Sequence, residues 1–137
     1  MGPSSAAEIR VAIDSDQDIV LARQRGRALA AELGFSPVDA TFVATAISEL
    51  ARNILAYARK GQISMRALHA SGRNGIRIIA SDKGPGIPDV RRAMRDGFST
   101  SGSLGLGLPG VRRLVDEFEI RSQPGRGTIV TVTKWRQ

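Results

Sequence analysis

Cysteine is missing from this 137-residue chain, histidine occurs once, and aromatic residues make up only 4%. Without thiols there is neither a disulfide nor a thiolate metal site, a usage that fits a reducing compartment and points to the cytoplasm. His69 stands alone, so a zinc centre or a histidine triad has no further ligands to build on. No apolar run approaches the roughly 20 residues that cross a bilayer, and no membrane association is expected. Residues 1–6 have neither the basic region nor the apolar stretch of a secretory signal, and Ala6 stands where a myristoylation signal needs Ser or Thr. Residues 1–7 therefore read as a disordered tail.

Arginine is plentiful by contrast. It supplies 17 of the 20 basic residues, and the formal charge is +7. The arginines are dispersed from Arg10 to Arg136, with short clusters at Arg23/Arg25/Arg27, Arg91/Arg92/Arg95 and Arg112/Arg113. That distribution describes a solvated basic surface, or one that attracts an acidic protein partner. Nucleic acid is not expected, because so few aromatics leave no platform on which bases could stack. The hydrophobic content of 42% and the chain length fit one globular domain over residues 1–137, large enough to bury a core.

Residues 9–13 alternate apolar and polar and read as a half-buried strand. Ser15 and Asp16 can cap a helix that carries Ile19, Val20, Ala22, Leu29, Ala30 and Leu33 and ends at Gly34. Ser36-Pro37 followed by Asp39 is a second start signal: a capping hydroxyl, a proline in the first turn and a carboxylate at the positive helix end. That helix runs to about Ala58. Strands follow at 63–69 and 76–81, joined through the turn-rich segment 70–75, and a long Gly/Pro-rich stretch over 82–107 holds at most a short helix at 89–95. A helix over about 108–117 and strands at 118–122 and 128–134 complete the order β-α-α-β-β-loop-α-β-β. Strands clustered as hairpins predict an α+β, two-layer sandwich, with helices on one face of a mostly antiparallel sheet.

Three short segments carry chemistry. On the second helix Phe42, Val43, Ala46, Ile47, Leu50 and Ile54 share an apolar arc of about 140° at ~100° per residue. Glu49 and Asn53, four apart, sit one above the other at its margin, where they could present oxygens into a cleft. On their own they are as readily ordinary edge residues of an amphipathic helix. Asp82-Lys-Gly84-Pro-Gly86 follows a strand; the glycines admit positive φ and close backbone approach by a ligand, and Asp82 can accept a hydrogen bond from an exocyclic amine such as that of adenine. A simple turn capped by Asp82 is the plainer alternative. The third segment, residues 102–110, brings glycine-rich backbone to a helix N-terminus, which suits phosphate. Gly105-Leu-Gly107-Leu-Pro-Gly110 matches a dinucleotide-binding fingerprint in form only, since no strand precedes it and no acid stands about 20 residues on.

In this order and spacing the segments resemble the GHKL superfamily, with its Bergerat-type ATP site. Glu49-x-x-x-Asn53 is similar to the N box, Asp82-x-Gly84-x-Gly86 to the first glycine box, residues 102–107 to the second, and Gly125-Arg-Gly127-Thr128 to the final G-x-G-T turn. Segments 48–53, 96–102 and 107–113 look closest to the stand-alone serine kinases of the RsbT type, the switch kinases of the bacterial stressosome. Anti-sigma factor kinases of the RsbW and SpoIIAB type share the boxes, and a module in which ATP only sets conformation is a further alternative.

The resemblance implies ATP with Mg²⁺, and nucleotide contacts from Asn53, Asp82, Gly84, Gly86, Ile87, Gly102, Gly105, Leu106, Gly107 and Thr128. Asn53 would offer its oxygen to Mg²⁺, Asp82 would hold the adenine amino group, and Gly105 and Gly107 would meet phosphates through backbone N–H groups. Residues 87–103 would form an ATP lid. Glu49 would be the catalytic residue, taking the proton of an incoming hydroxyl. The implied substrates are Ser or Thr residues of STAS-domain proteins, the stressosome scaffold and antagonist, and the implied later target is a PP2C-type phosphatase. Arg91, Arg92 and Arg95 could dock an acidic partner surface, or be a solvated basic face.

Overall fold

Ser36 accepts a hydrogen bond from the backbone N–H of Asp39 at 3.1 Å and starts the longest helix, with Pro37 in its first turn. The computed structural model describes residues 7–87, 90, 94 and 107–137. Within them run β1 (Glu8–Ile13), α1 (Asp16–Glu32), α2 (Pro37–Ala58), β2 (Gly61–Ala70) and β3 (Arg73–Asp82). After the long segment come α3 (Gly107–Leu114), β4 (Glu117–Gln123) and β5 (Gly127–Trp135). No helix among the described residues is long and apolar enough to cross a membrane.

The strands form one sheet in the order β1-β2-β3-β5-β4, and every pairing is antiparallel. Side chains alternate between the faces of a strand, so register decides what meets what. One row aligns Val11, Ile63, Ala80, Val130 and Ile120, and the row two residues away aligns Ile9, Met65, Ile78, Val132 and Phe118. Both rows lie under the helices and make the core with Ile47, Leu50 and Ile54 of α2. The intervening residues face away from the helices. Neighbours on one strand therefore look in opposite directions: Ser81 and Ile129 outward, Asp82 and Thr128 toward the helix layer.

Element order and type match the sequence reading, with four local differences. The segment 70–75 is not a loop: β2 and β3 run on to Ala70 and Arg73 and close through Ser71 and Gly72, both at positive φ (54° and 75°). Two consecutive positive φ values make the tight turn that matches strand twist. The helix expected over 108–117 stops at Leu114, because Glu117 already pairs with Thr133 of β5. Phe42, placed by periodicity in the apolar arc, is 37% exposed, and Lys134 lies over its ring at 5.5 Å. Val20 of α1 is likewise exposed.

In compensation α2 is buried all round at its middle. Residues 46–51 are all buried, Ser48 and Glu49 included, since α1 packs on α2 from one side and α3 from another. Of the expected short helix at 89–95, Val90 and Met94 are described. The Met94 N–H donates to the Val90 carbonyl at 3.0 Å, a helical bond. Residues 1–6 of the tail, the glycine-rich residues 102–106, most of the lid and Arg91, Arg92 and Arg95 lie outside the described residues.

Candidate nucleotide site

The helix α2 carries Glu49 and Asn53 on the side that meets α3 and the end of β3. Glu49 is more buried than its margin position implied, with its side chain 7% exposed. Its Oε1 accepts the backbone N–H of Gly107, the first residue of α3, at 3.1 Å. Its Oε2 pairs with the Arg52 guanidinium. A carboxylate at a helix N-terminus satisfies one of the orphan N–H groups and sits at the positive end of the peptide dipoles. Glu49 thus occupies the kind of position that a phosphate oxygen would take.

One turn along, Asn53 presents its amide between the layers. Its Nδ2 is buried and has no hydrogen-bond partner among the described residues. A buried unpaired donor or acceptor costs about 1–3 kcal/mol, and which amide atom is oxygen is settled only by the partners it meets. Asn53, Asp82, Ile87 and Thr128 line one cavity, together with Leu50, Ile54, Tyr57, Ala80, Leu108 and Val130. That cavity measures about 20 Å³, room for roughly one water and too small for a purine ring.

Asp82, the last residue of β3, uses Oδ1 to accept the Gly84 N–H at 2.9 Å. The turn-capping role considered from sequence is therefore real. It engages one carboxylate oxygen, and Oδ2 makes no hydrogen bond among the described residues. The glycines of the box differ in what they do. Gly86 has φ 81°, as expected. Gly84 does not adopt positive φ; it is needed because a Cβ there would lie 2.5 Å from that of Ala58. It makes room for the end of α2, a role its spacing did not reveal.

Behind this loop stands Ser122 of β4, which the sequence reading passed over. Its hydroxyl accepts the Ile87 N–H at 2.6 Å, lies 3.3 Å from the Gly127 carbonyl and meets Thr128 Oγ1 at 2.9 Å. The Gly125 N–H donates to the Pro85 carbonyl at 2.8 Å. Gly127, at φ 121°, runs so close to β3 that a Cβ would lie 2.1 Å from the Asp82 carbonyl oxygen. The first glycine box and the G-x-G-T turn are thus one packed unit. The signal for Ser122 was its position opposite Thr128 across the β4–β5 hairpin. Arg52 was also missed; its signal was the i,i+3 spacing from Glu49.

The site's remaining expected members divide simply. Gly107 stands at the start of α3, next to Glu49, whereas Gly102, Gly105 and Leu106 lie outside the described residues. No group of three or more His, Cys, Asp or Glu side chains converges among the described residues. An ion at Asn53 would therefore meet no preformed carboxylate cage among the described residues, an arrangement that suits Mg²⁺, which commonly keeps phosphate and water ligands.

Residues 38–137 match the family of histidine kinase-, DNA gyrase B- and HSP90-like ATPases, and the chain belongs to that family. Within it, the chain is 58% identical over 125 residues to the serine/threonine-protein kinase RsbT of Bacillus subtilis, covering 91% of this chain and 94% of that protein. It is 34% identical over 129 residues to an anti-sigma F factor of Caldanaerobacter subterraneus, covering 90% of this chain and 89% of the relative. Among solved structures, the RsbU and RsbW domains of Rv1364c from Mycobacterium tuberculosis superpose with a TM-score of 0.65 at 21% identity. That alignment covers 96% of this chain and 33% of the other, and supports the shared fold.

Proposed function

We propose that the chain is a cytoplasmic protein serine/threonine kinase of the partner-switch kind, which transfers the γ-phosphate of ATP to Ser or Thr residues of STAS-domain partners. On release from them it activates a PP2C-type phosphatase. The observation that carries this reading is the pair Glu49 and Asn53, one helical turn apart on α2, beside the cavity bounded by Asp82 and Thr128. The 58% identity to a kinase over nearly the whole chain supports it, and the lower 34% identity to an anti-sigma factor sets that class second.

The residues divide the work. Asp82 receives the adenine amino group on the oxygen that Gly84 leaves free, and Thr128, Ile87 and Leu108 enclose the ring. Asn53 would hold Mg²⁺, which when bound neutralises phosphate charge. The Gly107 N–H faces phosphate once Glu49 Oε1 lets it go, and Glu49 then takes the proton of the acceptor hydroxyl. The acceptor oxygen bonds to the γ-phosphorus, the bond from that phosphorus to the β–γ bridging oxygen breaks, and ADP leaves. Such a transfer has a loose transition state, so positioning and charge neutralisation outweigh base strength.

Incubation with Mg-[γ-³²P]ATP and a STAS-domain acceptor, followed by mapping of the label, tests the proposal. A labelled Ser or Thr on the acceptor is expected. Hydrolysis alone, with no labelled protein, would overturn it. Capture of a sigma factor from lysate in place of STAS and phosphatase partners would favour the anti-sigma class.

A further inference from the structure

The helix-free face of the sheet carries a trough of about 770 Å³ near the end of β3. Its floor is a single register row, Ala12, Gln62, Ser81, Ile129 and Arg121, contributed by all five strands. Ile129, at its middle, is 47% exposed. Four cations line the trough: Lys60, Lys83, Arg121 and Arg126. Among the described residues Lys60, Lys83 and Arg126 make no ion pair, and Arg121 reaches only Glu119, at 3.6 Å with both side chains mostly exposed. A pair so exposed adds little. Two carboxylates also line the trough, but Asp82 turns toward the nucleotide cavity, which leaves Asp14 as the acid of the lining, with Glu119 beside Arg121 on the same face.

We propose that this trough is the docking surface for an extended acidic segment of a protein partner, with an apolar side chain seated over Ile129 and carboxylates toward Lys60 and Arg121. The row from Ala12 to Arg121 crosses four strand spacings, about 19 Å, which an extended segment of about six residues spans. Cations around a floor that has exposed Ile129 at its middle complement such a segment and would steer its approach. Single-stranded nucleic acid fits less well, because no aromatic side chain is among the described lining residues. The inference rests on the reading that the chain works on protein partners, and it names where one of them sits.

The test uses the full chain and two probes: a fluorescein-labelled hexapeptide with leucine at its centre and Asp and Glu at both ends, and a labelled 12-mer of oligouridylate. Fluorescence anisotropy should show the peptide bound by the native chain at low salt. The Lys60→Glu/Arg121→Glu variant should weaken it at least tenfold, and the neutral Lys60→Gln/Arg121→Gln variant, which is milder toward folding, should give an intermediate loss. Calorimetry should find ATP affinity unchanged in both. No peptide binding by the native chain, equal binding by native and variant chains, or oligouridylate bound more tightly than the peptide would each overturn the proposal. Phosphotransfer to a STAS acceptor, measured on the same preparations, reads the kinase function separately. Peptide binding without transfer by the native chain would sink that reading and leave this one standing.

Discussion

The backbone N–H of Gly107 donates to Oε1 of Glu49, so the proposed base of the reaction also holds the first residue of the glycine-bearing helix. In this arrangement both oxygens of Glu49 are engaged, one by Gly107 and one by Arg52. Ligand at the α3 N-terminus and a free carboxylate are therefore linked events.

Glu49→Gln keeps an oxygen for Gly107 while removing the proton acceptor. Transfer to protein should fall by about 100-fold or more, the range of general-base effects, while calorimetric nucleotide affinity stays near native. Full transfer in the radiolabel assay would remove Glu49 as the base.

Asp82→Asn retains an oxygen that can cap the Gly84 N–H, so the fold should survive. The side chain then presents an amide donor or a weaker acceptor to the purine amine, and ATP binding should disappear in calorimetry. Unchanged affinity would sink the adenine-recognition role.

Asn53→Leu separates stability from function. It replaces a buried amide whose Nδ2 lacks a partner, so urea unfolding should show no loss and a gain of up to about 1 kcal/mol. Mg-dependent phosphotransfer should vanish. Strong destabilisation would mean that the amide has a structural partner after all.

Ser122→Ala removes the hydroxyl that receives the Ile87 N–H and meets Thr128. Leaving these groups unpaired should cost about 1–3 kcal/mol in urea unfolding and raise the KM for ATP more than it lowers kcat. Equal KM values would show that the hydroxyl does not shape the pocket.

Gly127→Ala meets two obstacles, the φ of 121° and the contact of 2.1 Å with the Asp82 carbonyl. Backbone strain alone is worth about 1–3 kcal/mol, and the clash with β3 adds to it. Thermal unfolding should reveal a protein far less stable than the native one; a shift under a degree would contradict the packing described.

Much of the fold was legible because it is local. Ser36-Pro37, the alternation of β1 and the periodicity of α2 each announce themselves within a few residues. The membership of the family was legible as well, since Glu49, Asn53, Asp82 and Thr128 belong to short motifs, and the structure brings the last three to one cavity. What escaped is what register and tertiary packing create. Phe42 lies on the right arc of α2 but beyond the reach of the core. Glu49 is buried because α3 covers it, which the phase of α2 alone does not say. Ser122 matters only because β4 sets it opposite Thr128, and Gly84 only because Ala58 comes so close. The trough likewise exists only when Ala12, Gln62, Ser81, Ile129 and Arg121, from five separate strands, fall into one row.

The alternation at Ser81/Asp82 and Thr128/Ile129 couples the two faces of the sheet. Each adjacent pair divides between the inner cavity and the outer face, with one peptide bond between them. A substitution that re-aims either strand end disturbs both surfaces together, whereas exchanging the charge of a side chain at the rim leaves the strand ends in place. Lys60, Arg121 and Arg126 are such positions on the proposed docking face, where charge can be exchanged without moving the residues that line the proposed nucleotide cavity.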